Sequence, residues 1–178
     1  GNMAMQLGLG SFLEGALRLS GLNIRTQQPK NKALAQLGSS DGSLCTLDLK
    51  SASDLQGCDL VQKLLPPAVW GVIDRIRSKR IFVSKEVGWM ELNMVSTMGN
   101  GFTFPLMTLI LLSLIYASRV SEPGRRNFVD YSCTAVYGDD IIVRSHEFER
   151  VCDILSRAGF IVNVEKSFNS GGFRESCG

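Results

Sequence analysis

Tyr137-Gly138-Asp139-Asp140 is the stretch that most constrains the fold. It lies between Ser132-Cys133-Thr134-Ala135-Val136 and Ile141-Ile142-Val143, each a short apolar, β-branched run. The two runs read as strands and the four residues between them as a tight turn. Adjacent acids between buried strands are costly, because like charges raise each other's pKa. A divalent cation removes that cost. Carboxylate oxygens are hard ligands suited to Mg²⁺, which is usually held by one or two carboxylates plus substrate phosphates. The turn therefore reads as a metal site for phosphoryl chemistry, against the plainer reading of a solvent-exposed acidic hairpin tip.

A second acidic site lies far upstream. Leu44-Cys45-Thr46-Leu47-Asp48-Leu49 is a strand-like run with an acid near its end, and it opens the motif Asp48-Leu49-Lys50-Ser51-Ala52-Ser53-Asp54. In a two-metal mechanism, cations ~3.5–4 Å apart clamp the attacking and leaving oxygens. Asp48, Asp139 and Asp140 could hold such a pair. The plain alternative is a helix N-terminus, with Ser51 to Asp54 capping the helix that follows. Asp54 suits that alternative better than Asp48.

Three blocks in this order carry a resemblance. Asp48 to Asp54 resembles motif A of a viral RNA-dependent RNA polymerase. Ser96-Thr97-Met98-Gly99-Asn100-Gly101-Phe102-Thr103-Phe104 resembles motif B, and Tyr137 to Asp140 resembles motif C. Their form is similar to that of the replicase subunit of the positive-strand RNA phages of the levivirus group. The opening Gly1 to Gly10 and the closing Gly171 to Gly178 are similar to that group too. The resemblance covers essentially the whole chain.

The resemblance implies an α+β fold. Its centre is a polymerase palm with a ferredoxin-like (split βαβ) core, an antiparallel sheet with packed helices, plus part of the fingers. Residues 44–64 and 96–178 would carry palm motifs A to E. Residues 1–43 and about 65–95 would be partly fingers-like. The implied reaction is template-directed nucleotidyl transfer from ribonucleoside triphosphates to an RNA 3′-hydroxyl, with two Mg²⁺ ions that Mn²⁺ can replace. Implied partners are template and product RNA and the host elongation factors Tu and Ts. The implied setting is the cytoplasm of an infected bacterial host, with no membrane.

Residue roles follow from the same resemblance. Asp48 and Asp139 would bridge the metals, with Asp140 in a lesser part. Tyr137 would position the turn or touch the primer strand. Gly138 would supply positive φ and let the primer backbone approach. Asp54 would sense the ribose 2′-hydroxyl, the group that separates RNA from DNA. In motif B, Ser96, Thr97, Gly99 and Asn100 would position template and nucleotide. The group's pattern usually continues with two acids where this chain has Pro105 and Met107. Lys166 matches the motif D lysine, a general acid for the pyrophosphate leaving group. In the family, a basic fingers element precedes the segment resembling Gly1 to Gly10, and a thumb follows the final block. Both are missing, so the expectation is an internal fragment inactive on its own. Two rivals are a reverse transcriptase and a non-catalytic RNA-binding domain on the same split βαβ core.

Composition constrains less. A chain of 178 residues suits one domain. A net charge of +2 is too small to announce nucleic-acid binding. Arg25, Lys30 and Lys32 form one basic group and Arg75, Arg77, Lys79 and Arg80 another. Each reads either as a phosphate contact or as a solvated helix face. The five cysteines lack CxxC spacing, which argues against structural zinc and for reduced, buried thiols. Cys45 and Cys133 fall inside the two expected active-site strands. The apolar run Phe102 to Ala117 falls short of the ~20 residues of a membrane span and reads as a buried helix.

Punctuation gives the remaining elements. One helix runs from an Asn2 cap to Leu19. A second starts at Pro29, turns Ala33, Leu34 and Leu37 inward and stops at Gly38, with a turn over Ser39 to Ser43. A third runs from Ser53 to Leu64. A fourth follows Pro66-Pro67, with Val69, Trp70, Ile73 and Ile76 as its buried stripe. A hairpin over Ile81 to Leu92 comes next. Ser121 to Asp130 reads as a loop. A helix from His146 to Ala158, stopped by Gly159, leads to a strand from Phe160 to Val164.

Overall fold

A computed structural model describes residues 2–120 and 129–177. Most of the expected Ser121–Asp130 loop lies outside the described residues. The chain is α+β. Helices α1 (Asn2–Leu19) and α2 (Ile24–Asp41) precede strand β1 (Leu44–Leu47) and the short β2 (Leu49–Lys50). Helices α3 (Cys58–Leu64) and α4 (Pro67–Ile76) lead to the hairpin β3 (Arg80–Ser84) and β4 (Gly88–Glu91). The long α5 (Thr103–Val120) follows. The chain then forms β5 (Ala135–Tyr137), β6 (Asp140–Arg144), α6 (Phe148–Arg157) and β7 (Ile161–Val162).

The central sheet has the order β1-β6-β5, all antiparallel, with Thr46 opposite Ile142 and Val136 opposite Ile141. On its other side, the β1–β2 segment meets the C-terminal chain. There β2 pairs antiparallel with β7, and Thr46 bridges Phe168. Across the molecule the order is therefore β7, then β1 and β2, then β6, then β5.

Helix α5 is the core of the packing. Leu106, Ile110, Leu111 and Ile115 are fully buried and meet Leu13 and Leu17 of α1 and Val151 and Leu155 of α6. By length and apolarity this helix could cross a membrane, but 61% of it is buried inside the fold. Pro105 is tolerated because it stands in the first turn, where its missing N–H has no intrahelical partner to lose. Pro105 and Met107 are both buried, and an unpaired carboxylate at either place would be costly. At the far end of α5, Arg119 makes a two-pronged ion pair with buried Glu147 (2.9 and 2.8 Å) and bonds Thr134 Oγ1 (2.8 Å). That ties α5 to both ends of the β5–β6 hairpin.

Several boundaries differ from the expectations. Asn2 is the first helical residue of α1, and its side chain donates to the Ile76 carbonyl instead of capping (3.1 Å). Helix α2 begins earlier, because the Asn23 side chain caps it by accepting from Arg25 N–H. Pro29 lies inside α2; the carbonyl it leaves without a donor belongs to exposed Arg25, where water can serve. Gly38 does not stop α2. A Cβ there would stand 2.8 Å from the Leu44 carbonyl oxygen, so this glycine lets the helix lie against β1. The stop is Gly42, in the left-handed region. The inward face of α2 is Gln27, Asn31, Ala35 and Gly38, and Leu37 is exposed. Residues 51–55 form turns, so α3 starts only at Cys58. Cys133 precedes β5 and its thiol meets Asp130 and Arg144. The last strand is short, and Val164–Lys166 is a 3₁₀ turn.

Candidate active site

The β5–β6 hairpin is tighter than a four-residue turn. Tyr137 and Asp140 are a cross-strand pair, so only Gly138 and Asp139 form the loop. Gly138 has φ +62°, as the first loop residue of a II′-type connection requires. The tip is seated on the start of α5. Gly138 N–H donates to Thr108 Oγ1 (3.1 Å), and the Tyr137 ring meets Phe104 edge-on with centroids 4.8 Å apart. A Cβ on Gly138 would stand 2.5 Å from Phe104 Cε2. The space this glycine leaves is therefore filled by Phe104.

Asp48 occupies the single-residue break between β1 and β2. Opposite it the C-terminal chain bulges into the Val164–Lys166 turn, and the residues flanking that bulge hold Asp48 from both sides. Asn163 N–H donates to the Asp48 carbonyl (2.9 Å) and its Nδ2 to Asp48 Oδ2 (2.7 Å). Asp48 N–H donates to Ser167 Oγ (3.1 Å). The bulge carries Lys166, which is therefore on a turn and not on a strand.

Asp140 is held by the C-terminal block. Its Oδ1 accepts from the Cys177 backbone N–H (3.0 Å) and from Ser176 Oγ (3.2 Å). The block folds around buried Arg174. That guanidinium donates to the Leu44 carbonyl on β1 (2.7 Å) and to the carbonyls of Ser170, Gly171 and Phe173.

These three supports bring Asp48, Asp139, Asp140, Lys166 and Glu175 around one polar cavity of about 250 Å³. Burial raises the Asp139 pKa, and the Asp140 and Asp48 charges raise it further, against a backbone hydrogen bond and the Lys166 charge. An anion so placed is short of positive charge. Among the described residues, no three acid, histidine or cysteine side chains form a ready cation cage. The donor set nevertheless fits Mg²⁺, with oxygen ligands only and few of them.

The other expected residues lie elsewhere. Asp54 is exposed on the turn after β2, accepts from Ser53 Oγ (3.3 Å) and does not line the acidic cavity. Ser96, Thr97 and Asn100 line a separate cavity of about 200 Å³ together with Arg80. Ser96 Oγ is buried there without a hydrogen-bond partner. Gly99 is exposed with φ +97°. Two residues on, Gly101 lies so close to Gly10 of α1 that a Cβ on Gly10 would overlap its carbonyl. The basic groups are partly neutralised: Arg77 and Lys79 pair with Asp74, Arg80 with Glu91 and Arg25 with Glu14.

Residues 1–178 match the family described as RNA replicase, beta-chain. The chain belongs to that family. It is 43% identical over 177 residues to the RNA-directed RNA polymerase beta chain of Escherichia phage MS2, covering 99% of this chain and 31% of that relative. It is 42% identical over 178 residues to the corresponding beta chain of Enterobacteria phage fr, with 99% and 31% covered. Against the RNA-directed RNA polymerase subunit beta of Escherichia virus Qbeta it is 38% identical over 177 residues, with 99% and 29% covered. The chain thus spans less than a third of the length of these curated relatives.

Sequence reasoning missed the residues that hold the acids. Asn163 and Ser167 flank Lys166 in the sequence but gave no signal beyond a polar run. Ser176, Arg174 and Glu175 fall in a block noted only for its likeness to the group.

Proposed function

We propose that this replicase chain is the catalytic palm of an RNA-dependent RNA polymerase. The observation that carries the reading is the convergence of Asp48, Asp139, Asp140 and Lys166 on one polar cavity. The strand order also supports a split βαβ core: numbering its strands β1/β2, β5, β6, β7 gives 4-1-3-2 with antiparallel neighbours. Fold alone would leave function open.

Asp48 and Asp139 would hold a pair of Mg²⁺ ions, with Asp140 as a lesser ligand from β6. When bound, such ions activate the 3′-hydroxyl and offset charge on the transferring phosphoryl group. Lys166 lines the same cavity and would hold the proton for the departing pyrophosphate. Asp54 would face the nucleotide sugar from the turn after motif A. Ser96, Thr97 and Asn100, with Gly99 giving the loop its turn, would contact template or nucleotide in the separate cavity they line. Tyr137 serves the hairpin by packing on Phe104. The substrates would be template RNA and ribonucleoside triphosphates, in the cytoplasm of the infected bacterium. Elongation factors Tu and Ts are proposed as partners on the family resemblance.

The test uses a complete replicase carrying this sequence. Asp139→Asn should reduce templated incorporation by several orders of magnitude, and the parent enzyme should prefer ribonucleotides to deoxyribonucleotides. Near-normal elongation by the variant, or a preference for deoxyribonucleotides, would overturn the proposal.

A further inference from the structure

The inward face of α2 poses a question the proposed chemistry leaves unanswered: why a core helix turns two carboxamides inward. Gln27 is 3% exposed and Asn31 is fully buried. Gln27 Nε2 donates to Asn31 Oδ1 (3.0 Å). Asn31 Nδ2 then donates to Ser176 Oγ (3.1 Å). An amide nitrogen can only donate, so the serine oxygen must accept, and its own proton must point elsewhere. Its two acceptors are Asp140 Oδ1 at 3.2 Å and, more weakly, Cys177 Sγ at 3.6 Å. The row therefore runs in one direction, from Gln27 through Asn31 and Ser176 to Asp140. With Cys177 N–H on the same oxygen, Asp140 Oδ1 is fixed by two donors. Its other oxygen is left for the cavity shared with Asp48 and Asp139.

We propose that Asn31 is a positioning residue for Asp140, acting through the Ser176 hydroxyl to hold that carboxylate in the orientation that receives a cation. This rests on the reading of the acidic cavity as a divalent-cation site. It also makes the seating of α2 a condition for that site, because the row crosses from α2 to β6 through the C-terminal block.

The decisive variants are Asn31→Asp, Ser176→Ala and Ser176→Thr in a complete replicase. Asn31→Asp keeps the shape but puts an acceptor where the donor was, drawing the serine proton away from Asp140. Ser176→Ala removes the hydroxyl, and Ser176→Thr keeps it. Mn²⁺ affinity is read by electron paramagnetic resonance of the free ion, beside kcat and the nucleotide KM. A lost hydrogen bond to a carboxylate corresponds to about a tenfold change or more. Asn31→Asp and Ser176→Ala should therefore weaken Mn²⁺ binding about tenfold and lower kcat with little change in KM, while Ser176→Thr retains both. Should Asn31→Asp fail to fold, the two serine variants decide. A lower melting temperature with unaltered Mn²⁺ affinity and kcat in the folded enzyme would overturn the proposal and leave Asn31 a packing residue. Asp139→Asn runs alongside. If it too leaves Mn²⁺ binding unchanged, the cation-site reading itself fails. If it alone abolishes binding, only the positioning role of Asn31 fails.

Discussion

Gly138 carries two demands at once, and they fall on the same missing Cβ. Its φ of +62° disfavours any side chain, and the Phe104 ring occupies the space one would need. Gly138→Ala should therefore destabilise the chain by about 2–4 kcal/mol, the combined scale of backbone strain and overpacking. Urea denaturation with an unchanged m-value would show it, and a loss under ~0.5 kcal/mol would contradict it. The first demand was legible in the sequence, because a turn between β-branched runs calls for glycine. The second was not, because Phe104 belongs to another motif and its approach depends on how α5 meets the hairpin. Asp48 repeats the lesson. Its strand-end position could be read from the residues around it, whereas Asn163 and Ser167 reach it only after the C-terminal chain has paired with β1 and β2.

Elements were legible where hydrophobic pattern and punctuation agreed. Helix α4 follows its Pro-Pro start and buries Ile73 and Ile76 of the expected stripe, while Val69 and Trp70 are only half-buried. Helix α2 was misread because Pro29 and Gly38 looked like start and stop signals. Tertiary packing overrode both, with Asn23 and Gly42 as the actual ends. The C-terminal block had no period to read at all. It is held by the four donated bonds of Arg174, and a bond from a charged donor is worth about 1.5–3 kcal/mol. Arg174→Met should release this block locally. Backbone amides of residues 170–177 should exchange with solvent at least tenfold faster, on the order of 1.4 kcal/mol or more. Amides of α5 should change much less. Unchanged exchange at Cys177 would show that the block is held by something else.

At the scale of the molecule, the fold places negative charge where its own packing disfavours it. The central sheet, the hairpin tip and the C-terminal block bring Asp48, Asp139, Asp140 and Glu175 to one cavity, with Lys166 the facing cation. The class of fold and the three aspartates were legible in the sequence. Glu175 and the supports were not, because they depend on long-range pairing. The raised pKa of Asp139 gives this arrangement a pH signature. A carboxylate whose folded pKa exceeds its unfolded value adds stability below the unfolded pKa. That contribution is lost as pH rises through the folded value. Without a divalent cation, the chain should therefore lose stability as pH climbs past the ordinary carboxylate range, and Asp139→Asn should lessen that loss. A bound cation should reverse it, adding about 2.7 kcal/mol at a concentration of 100 times its Kd. The most direct measurement is the melting temperature at neutral pH with and without Mn²⁺, for the parent chain and for Asp139→Asn. A Mn²⁺-dependent rise in the parent that largely disappears in the variant is the predicted result; an equal rise in both would contradict the acidic cavity as the cation site.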